Sequence, residues 1–124
     1  MVMKERIPTI ISVNSMEFAQ GKDEKGKFIR VKRLVTKKDT GSFFLLFGMA
    51  EVEPGYSMPF DYDYEEVIYM REGSLKISWG DNWEKTVTVN KDEAIFMPTG
   101  RTYLFENPGS EVAKTTYAMH PPFM

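Results

Sequence analysis

The chain has 124 residues, 42% of them hydrophobic, with 16 basic against 18 acidic side chains and no cysteine. That length supports a single domain over residues 1–124 with a real core. A net charge of −2 provides no basic stripe for nucleic acid, and the lack of cysteine removes disulfides, thiolate catalysis and Cys-based zinc sites.

The opening residues "MVMKERIPTI" lack the apolar core of a signal peptide, and no apolar run reaches about 18 residues. With the cysteine-free composition this predicts a soluble, cytoplasmic chain with no membrane partner. "IPTIISV" (7–13) reads as an apolar strand suited to pairing at an edge, and "SMEFAQGK" (15–22) as at most one helical turn. The basic residues Arg30, Lys32, Arg33, Lys37 and Lys38 read as solvated strand and turn charge. N-terminal strands are thus expected over about 1–40.

From residue 42 onward the signals are strand signals. "SFFLLFGMAEV" is a nearly continuous apolar run, and "SLKISW" alternates, with Leu75, Ile77 and Trp79 on one face. "KTVTV", "EAIFM", "RTYLFE" and "AKTTYAM" are short and rich in β-branched and aromatic residues. Gly, Pro, Asp and Asn clusters such as "EPGYS", "REGS", "PTGR" and "ENPGS" separate them, the punctuation of an antiparallel all-β fold.

Two stretches go beyond class. In "EVIYMREG", Glu66 is followed after six residues by Gly73; in "DEAIFMPTGRTYLFEN", Pro98, Gly100 and Asn107 fall at fixed intervals. Their order and spacing resemble the two motifs of the cupin superfamily, with Asp92 at a glycine position and Tyr103 at a histidine position. The resemblance implies an RmlC-like jelly roll closed as a double-stranded β-barrel, with the motifs over about 45–120 and a homodimer. Within the superfamily, "MPFDYDYEEVIYMREGSLKI", "FMPTGRTYLF" and "AKTTYAMHPP" are similar to the ethanolamine-utilisation Q (EutQ-like) cupins. That likeness implies a place in ethanolamine utilisation, with an acetate-kinase-like activity attached to the family.

Metal-binding cupins use three histidines and a glutamate, since neutral imidazole suits Fe, Ni, Zn and Cu. Counting from Glu66 puts the histidine pair on Phe60 and Tyr62, or on Pro59 and Asp61; counting from Gly55 puts it on Asp61 and Asp63. No register supplies a histidine, so no transition-metal cofactor is expected. Asp61, Asp63 and Glu66 are an oxygen set of the kind Mg²⁺ takes. The sole histidine, His120, ends the last strand and reads as an edge residue.

Period-two alternation through Glu66 collects Phe60, Tyr62, Tyr64, Ile68 and Met70 on its face and sends Asp61, Asp63 and Glu65 the other way. Tyr103, Phe105 and Asn107 share a face of their own strand. Two readings of these rings stay open: an aromatic pocket holding one carboxylate, or a filled core. The first predicts a small-molecule ligand, with Glu66 as the acid or base, Tyr62 and Tyr103 as catalytic partners that donate to a developing oxyanion or orient the substrate, and Phe60, Tyr64, Ile68, Met70, Phe105 and Asn107 as binding residues. Metal-independent lyase or isomerase chemistry on a small polar metabolite would follow. Its rival is a non-catalytic module, either binding an organic cation by charge and cation–π contact with one carboxylate among rings or serving as a microcompartment accessory.

Overall fold

The computed structural model describes residues 7–124. Ten strands form two antiparallel sheets: β1 (Ala19–Lys22), β2 (Phe28–Val35), β3 (Leu46–Val52), β4 (Ser57–Tyr62), β5 (Glu65–Glu72), β6 (Leu75–Trp79), β7 (Lys85–Val89), β8 (Ala94–Met97), β9 (Arg101–Glu106) and β10 (Ala113–His120). The larger sheet runs β1-β2-β3-β10-β5-β8 and the smaller β4-β9-β6-β7. Inward residues of both, among them Leu46, Val52, Met70, Ile77, Met97 and Phe105, form one buried cluster between the layers.

The expected closure into a barrel is overturned. Closure requires a hydrogen-bonded ladder joining one sheet's edges to the other's. Here β1 and β8 are free edges of the larger sheet, and β4 and β7 of the smaller. The molecule is a two-sheet jelly roll whose layers are held by side chains, and it splays enough to leave space between them.

The glycine and proline spacing has a conformational origin. Gly73, between β5 and β6, has φ +73°, and a Cβ there would lie 3.1 Å from the Ala113 Cα. Gly100 turns β8 into β9 at φ +93° and donates its N–H to the Tyr62 carbonyl at 2.8 Å. Asp92, at the motif's glycine position, also takes a left-handed backbone (φ +66°), a conformation Asp tolerates better than most residues. The motifs therefore report where the backbone turns.

Three N-terminal expectations change. "IPTIISV" forms no strand: residues 7–12 are irregular, Val13–Ser15 is a 3₁₀ turn, and Ile10 is fully exposed. The edge it was expected to supply is instead β1, within the stretch read as a helical turn. The short helix α1 lies at Lys37–Thr40, where the Thr36 hydroxyl accepts from the Asp39 N–H and Gly41 closes the turn at φ +76°. The basic cluster also divides. Arg30 pairs with Glu51 at 2.5 Å, Arg30 and Lys32 lie over the Phe18 ring, and Arg33 turns inward.

Candidate functional site

Between β2, β3, β5 and β10 of one sheet and β4, β6 and β9 of the other lies a cavity of about 270 Å³. Its wall is mostly apolar and aromatic, including Ile29, Val31, Phe60, Ile68 and Phe105. Among the described residues Glu66 is its only acid and Arg33 its only base; Tyr62, Tyr64, Tyr117 and Thr115 complete the polar groups.

The stretch 58–70, readable as one strand, is two. β4 ends at Tyr62 in the smaller sheet and β5 starts at Glu65 in the larger, with Asp63 and Tyr64 crossing between. The crossing keeps inward parity, so Tyr62, Tyr64 and Glu66 reach the same cavity while Asp61, Asp63 and Glu65 are exposed.

Glu66 is 6% exposed, and its neighbours across β8 and β10 are Met97 and Met119. A carboxylate among thioethers and rings loses its hydration, which disfavours the charged form. Burial pushes its pKa up from 4.5 to about 7, against the opposing pull of the Tyr62 hydroxyl, which donates to Oε1. Burial first, then the nearby Glu66 charge, pushes the Tyr64 phenol up to about 12 and Tyr62 further still. Tyr62 is locked by rings: Tyr64 at 4.5 Å, Tyr103 edge-on at 4.9 Å and Phe105 at 6.0 Å.

The sequence-predicted set is only partly brought together here. Phe60, Tyr62, Tyr64, Glu66, Ile68 and Phe105 line the cavity; Met70, Tyr103 and Asn107 do not. Met70 is fully buried, and its backbone bonds to Asp92 and Glu93 at the far end of β5. Tyr103 supports Tyr62 from behind, donates to the Pro98 carbonyl at 2.8 Å, and borders a separate recess with Trp79 and Ile95. Asn107 is a loop clamp. Its amide donates to the Val52 and Glu111 carbonyls at 2.9 and 3.0 Å and its oxygen accepts from the Gly109 N–H at 2.9 Å. His120 is exposed, against Phe44.

Three polar wall residues escaped the sequence reading: Arg33, Thr115 and Tyr117. Arg33 reaches the cavity because Ile29, Val31 and Arg33 alternate inward along β2. Tyr117 reaches it because Gly48, opposite on β3, leaves room: a Cβ there would be 2.7 Å from the Tyr117 ring and hydroxyl. A glycine inside an apolar strand run is a signal of such close approach.

The donor set does not suit a transition metal. Whichever register is taken, the positions that hold histidines in metal-binding cupins carry none here, and Tyr103, at the third, donates to the Pro98 carbonyl instead. The Mg²⁺ alternative is not assembled either. Asp61 is outside, accepting from Thr102, and among the described residues no three His, Cys, Asp or Glu side chains gather.

A two-sheet jelly roll with an aromatic, carboxylate-bearing interior is the architecture of a cupin, and the chain belongs to that family. The cupin domain model matches residues 48–119. The tetracenomycin polyketide synthase protein TcmJ of Streptomyces glaucescens is 29% identical over 92 residues, 73% of this chain and 60% of that protein. The chain thus spans about 60% of the length of that relative. Among solved structures, the polyketide cyclase RemF from Streptomyces resistomycificus superposes with a TM-score of 0.73 at 21% identity, covering 94% of this chain and 83% of that one. The Clostridium difficile EutQ protein superposes at 0.68 and 21%, covering 88% and 90%. These similarities establish the fold. The EutQ likeness is one among several of comparable strength.

Proposed function

We propose that the cavity binds a small molecule with a flat apolar body and an acidic C–H or O–H group, and that Glu66 moves that proton. The observation that carries this is the placement of Glu66: the sole acid of an apolar cavity, hydrogen-bonded to Tyr62. A carboxyl titrating near neutrality serves equally as acid and base at physiological pH. Tyr62 supports a negative charge developing beside it. Enolisation, isomerisation or elimination is the matching reaction class.

The mostly apolar lining supports a more apolar ligand than the small polar metabolite expected from sequence. The likeness to a polyketide synthase protein and a polyketide cyclase favours a flat, enolisable carbon skeleton. The kinase-type chemistry implied by the EutQ resemblance has less support, because the lining residues include no glycine to form a phosphate cradle. The test is deuterium exchange at the acidic C–H of 2-tetralone in D₂O. Acceleration by the wild type that is lost in Glu66→Gln supports the reading. No acceleration, or equal acceleration by the variant, overturns it and leaves a binding module without turnover.

A further inference from the structure

We infer that Arg33 is an anion-binding residue and that the cavity's ligand is an aromatic carboxylate, with its acid group on Arg33 and its reactive proton towards Glu66. This deepens the reading above and rests on the same cavity. Arg33 lies on the cavity side of β2, and its Nε is shielded from water without a hydrogen-bond partner. A buried guanidinium donor left unpaired is costly, and native sites rarely retain one without a use. The ion pairs among the described residues are Arg30–Glu51 and Lys114–Glu72, so no carboxylate among them neutralises Arg33.

The surroundings define the anion's shape. The Phe123 ring lies 5.4 Å from the guanidinium carbon, placing an aromatic surface beside the cation. Arg33, Gly48, Tyr117 and Ile68 form one rung across β2, β3, β10 and β5. With no side chain on Gly48, the Tyr117 phenol lies across that rung. Its proton affinity responds to both Arg33, which lowers it, and Glu66, which raises it, although burial dominates and holds it at about 12. A planar carboxylate suits the guanidinium fork, and a ring would lie along Ile68 and Phe105. An organic cation, the guest suggested by a lone carboxylate among rings, is repelled by Arg33.

The probes are 3-hydroxy-2-naphthoate and 2-naphthol, which share a fused ring and hydroxyl but differ by the carboxylate, followed by intrinsic fluorescence. Wild type is expected to bind the naphthoate roughly 10–100-fold more tightly, the range of a charge-assisted hydrogen bond. Arg33→Met should erase that preference while leaving 2-naphthol affinity within about threefold, and Arg33→Lys should retain part of it. Circular dichroism and thermal melts establish that each variant is folded. Equal wild-type affinity for the two probes, no naphthoate binding, or a preference that survives Arg33→Met would overturn the inference. Failure of the tetralone exchange alone would instead count against proton transfer at Glu66 and leave the anion preference standing.

Discussion

Tyr62 ends a strand of the smaller sheet and Glu66 stands second in a strand of the larger, yet the Tyr62 hydroxyl donates to Glu66 Oε1 across the gap between them. Four residues of sequence thus place a phenol and a carboxyl on opposite layers at one end of the cavity. The contact ties the sheets together and opposes the burial that raises the pKa of Glu66.

Glu66 makes stability pH-dependent. Its folded pKa of about 7 lies above the ordinary 4.5, so the native state holds a proton that the unfolded chain has released between those values. Stability attributable to this group is therefore lost as pH rises from 4.5 through 7, by up to about 3 kcal/mol. Glu66→Gln should match or slightly trail wild type at pH 4 and be relatively more stable at pH 8. Urea melts at both values measure this; a wild-type-to-variant difference that ignores pH would refute it.

Tyr62→Phe keeps the ring packing and removes the donor. Because the Tyr62 hydroxyl lowers the Glu66 pKa while burial raises it, losing the hydroxyl should move Glu66 further above 7. Carbon-13 NMR of the Glu66 carboxyl across a pH titration reads the shift directly. An unchanged or lower midpoint would show that the hydrogen bond does not govern the site.

Asn107→Ala should destabilise the fold by about 2–4 kcal/mol, since it strips three hydrogen bonds from a buried loop clamp. Affinity for 3-hydroxy-2-naphthoate in the folded variant should stay near wild type, because Asn107 does not border the cavity. A large loss of affinity with unchanged stability would place the residue in the site after all.

Gly48→Ala tests the close approach across β3. The new methyl would meet the Tyr117 ring at 2.7 Å and the Lys32 backbone oxygen at 2.8 Å. Overpacking of this kind costs about 1–3 kcal/mol. Adding Tyr117→Ala should relieve only part of the overpacking, since the Lys32 backbone oxygen remains. A fully tolerated Gly48→Ala would mean that Tyr117 does not lie across that rung.

Most strands from β3 onward were legible because apolar runs and turn residues are a local property, whereas the break between β4 and β5 was not. Gly73 and Gly100 carry positive φ, so the spacing that marks the cupin family is written in backbone geometry. Alternation also reached Tyr62, Tyr64 and Glu66, since the crossing at Asp63 and Tyr64 preserved parity.

What alternation cannot supply is depth and company. Met70 and Glu66 share a face, but they sit at opposite ends of β5, so only one borders the cavity. Asn107 and Phe105 share a parity, but one is consumed by backbone carbonyls. Arg33 reads as solvated charge among other charges until β2 is laid opposite β4 and β9 and its side chain is found facing rings. Closure was undecidable for the same reason. Strand patterns record which face is apolar, whereas whether edges meet depends on how far the packed side chains hold two sheets apart. The sequence alone determined the all-β class, most of the later strands and the turn motifs that mark the family; the tertiary structure decided the strand order in the sheets, that the roll stays open, and which carboxyl, phenols and guanidinium share its interior.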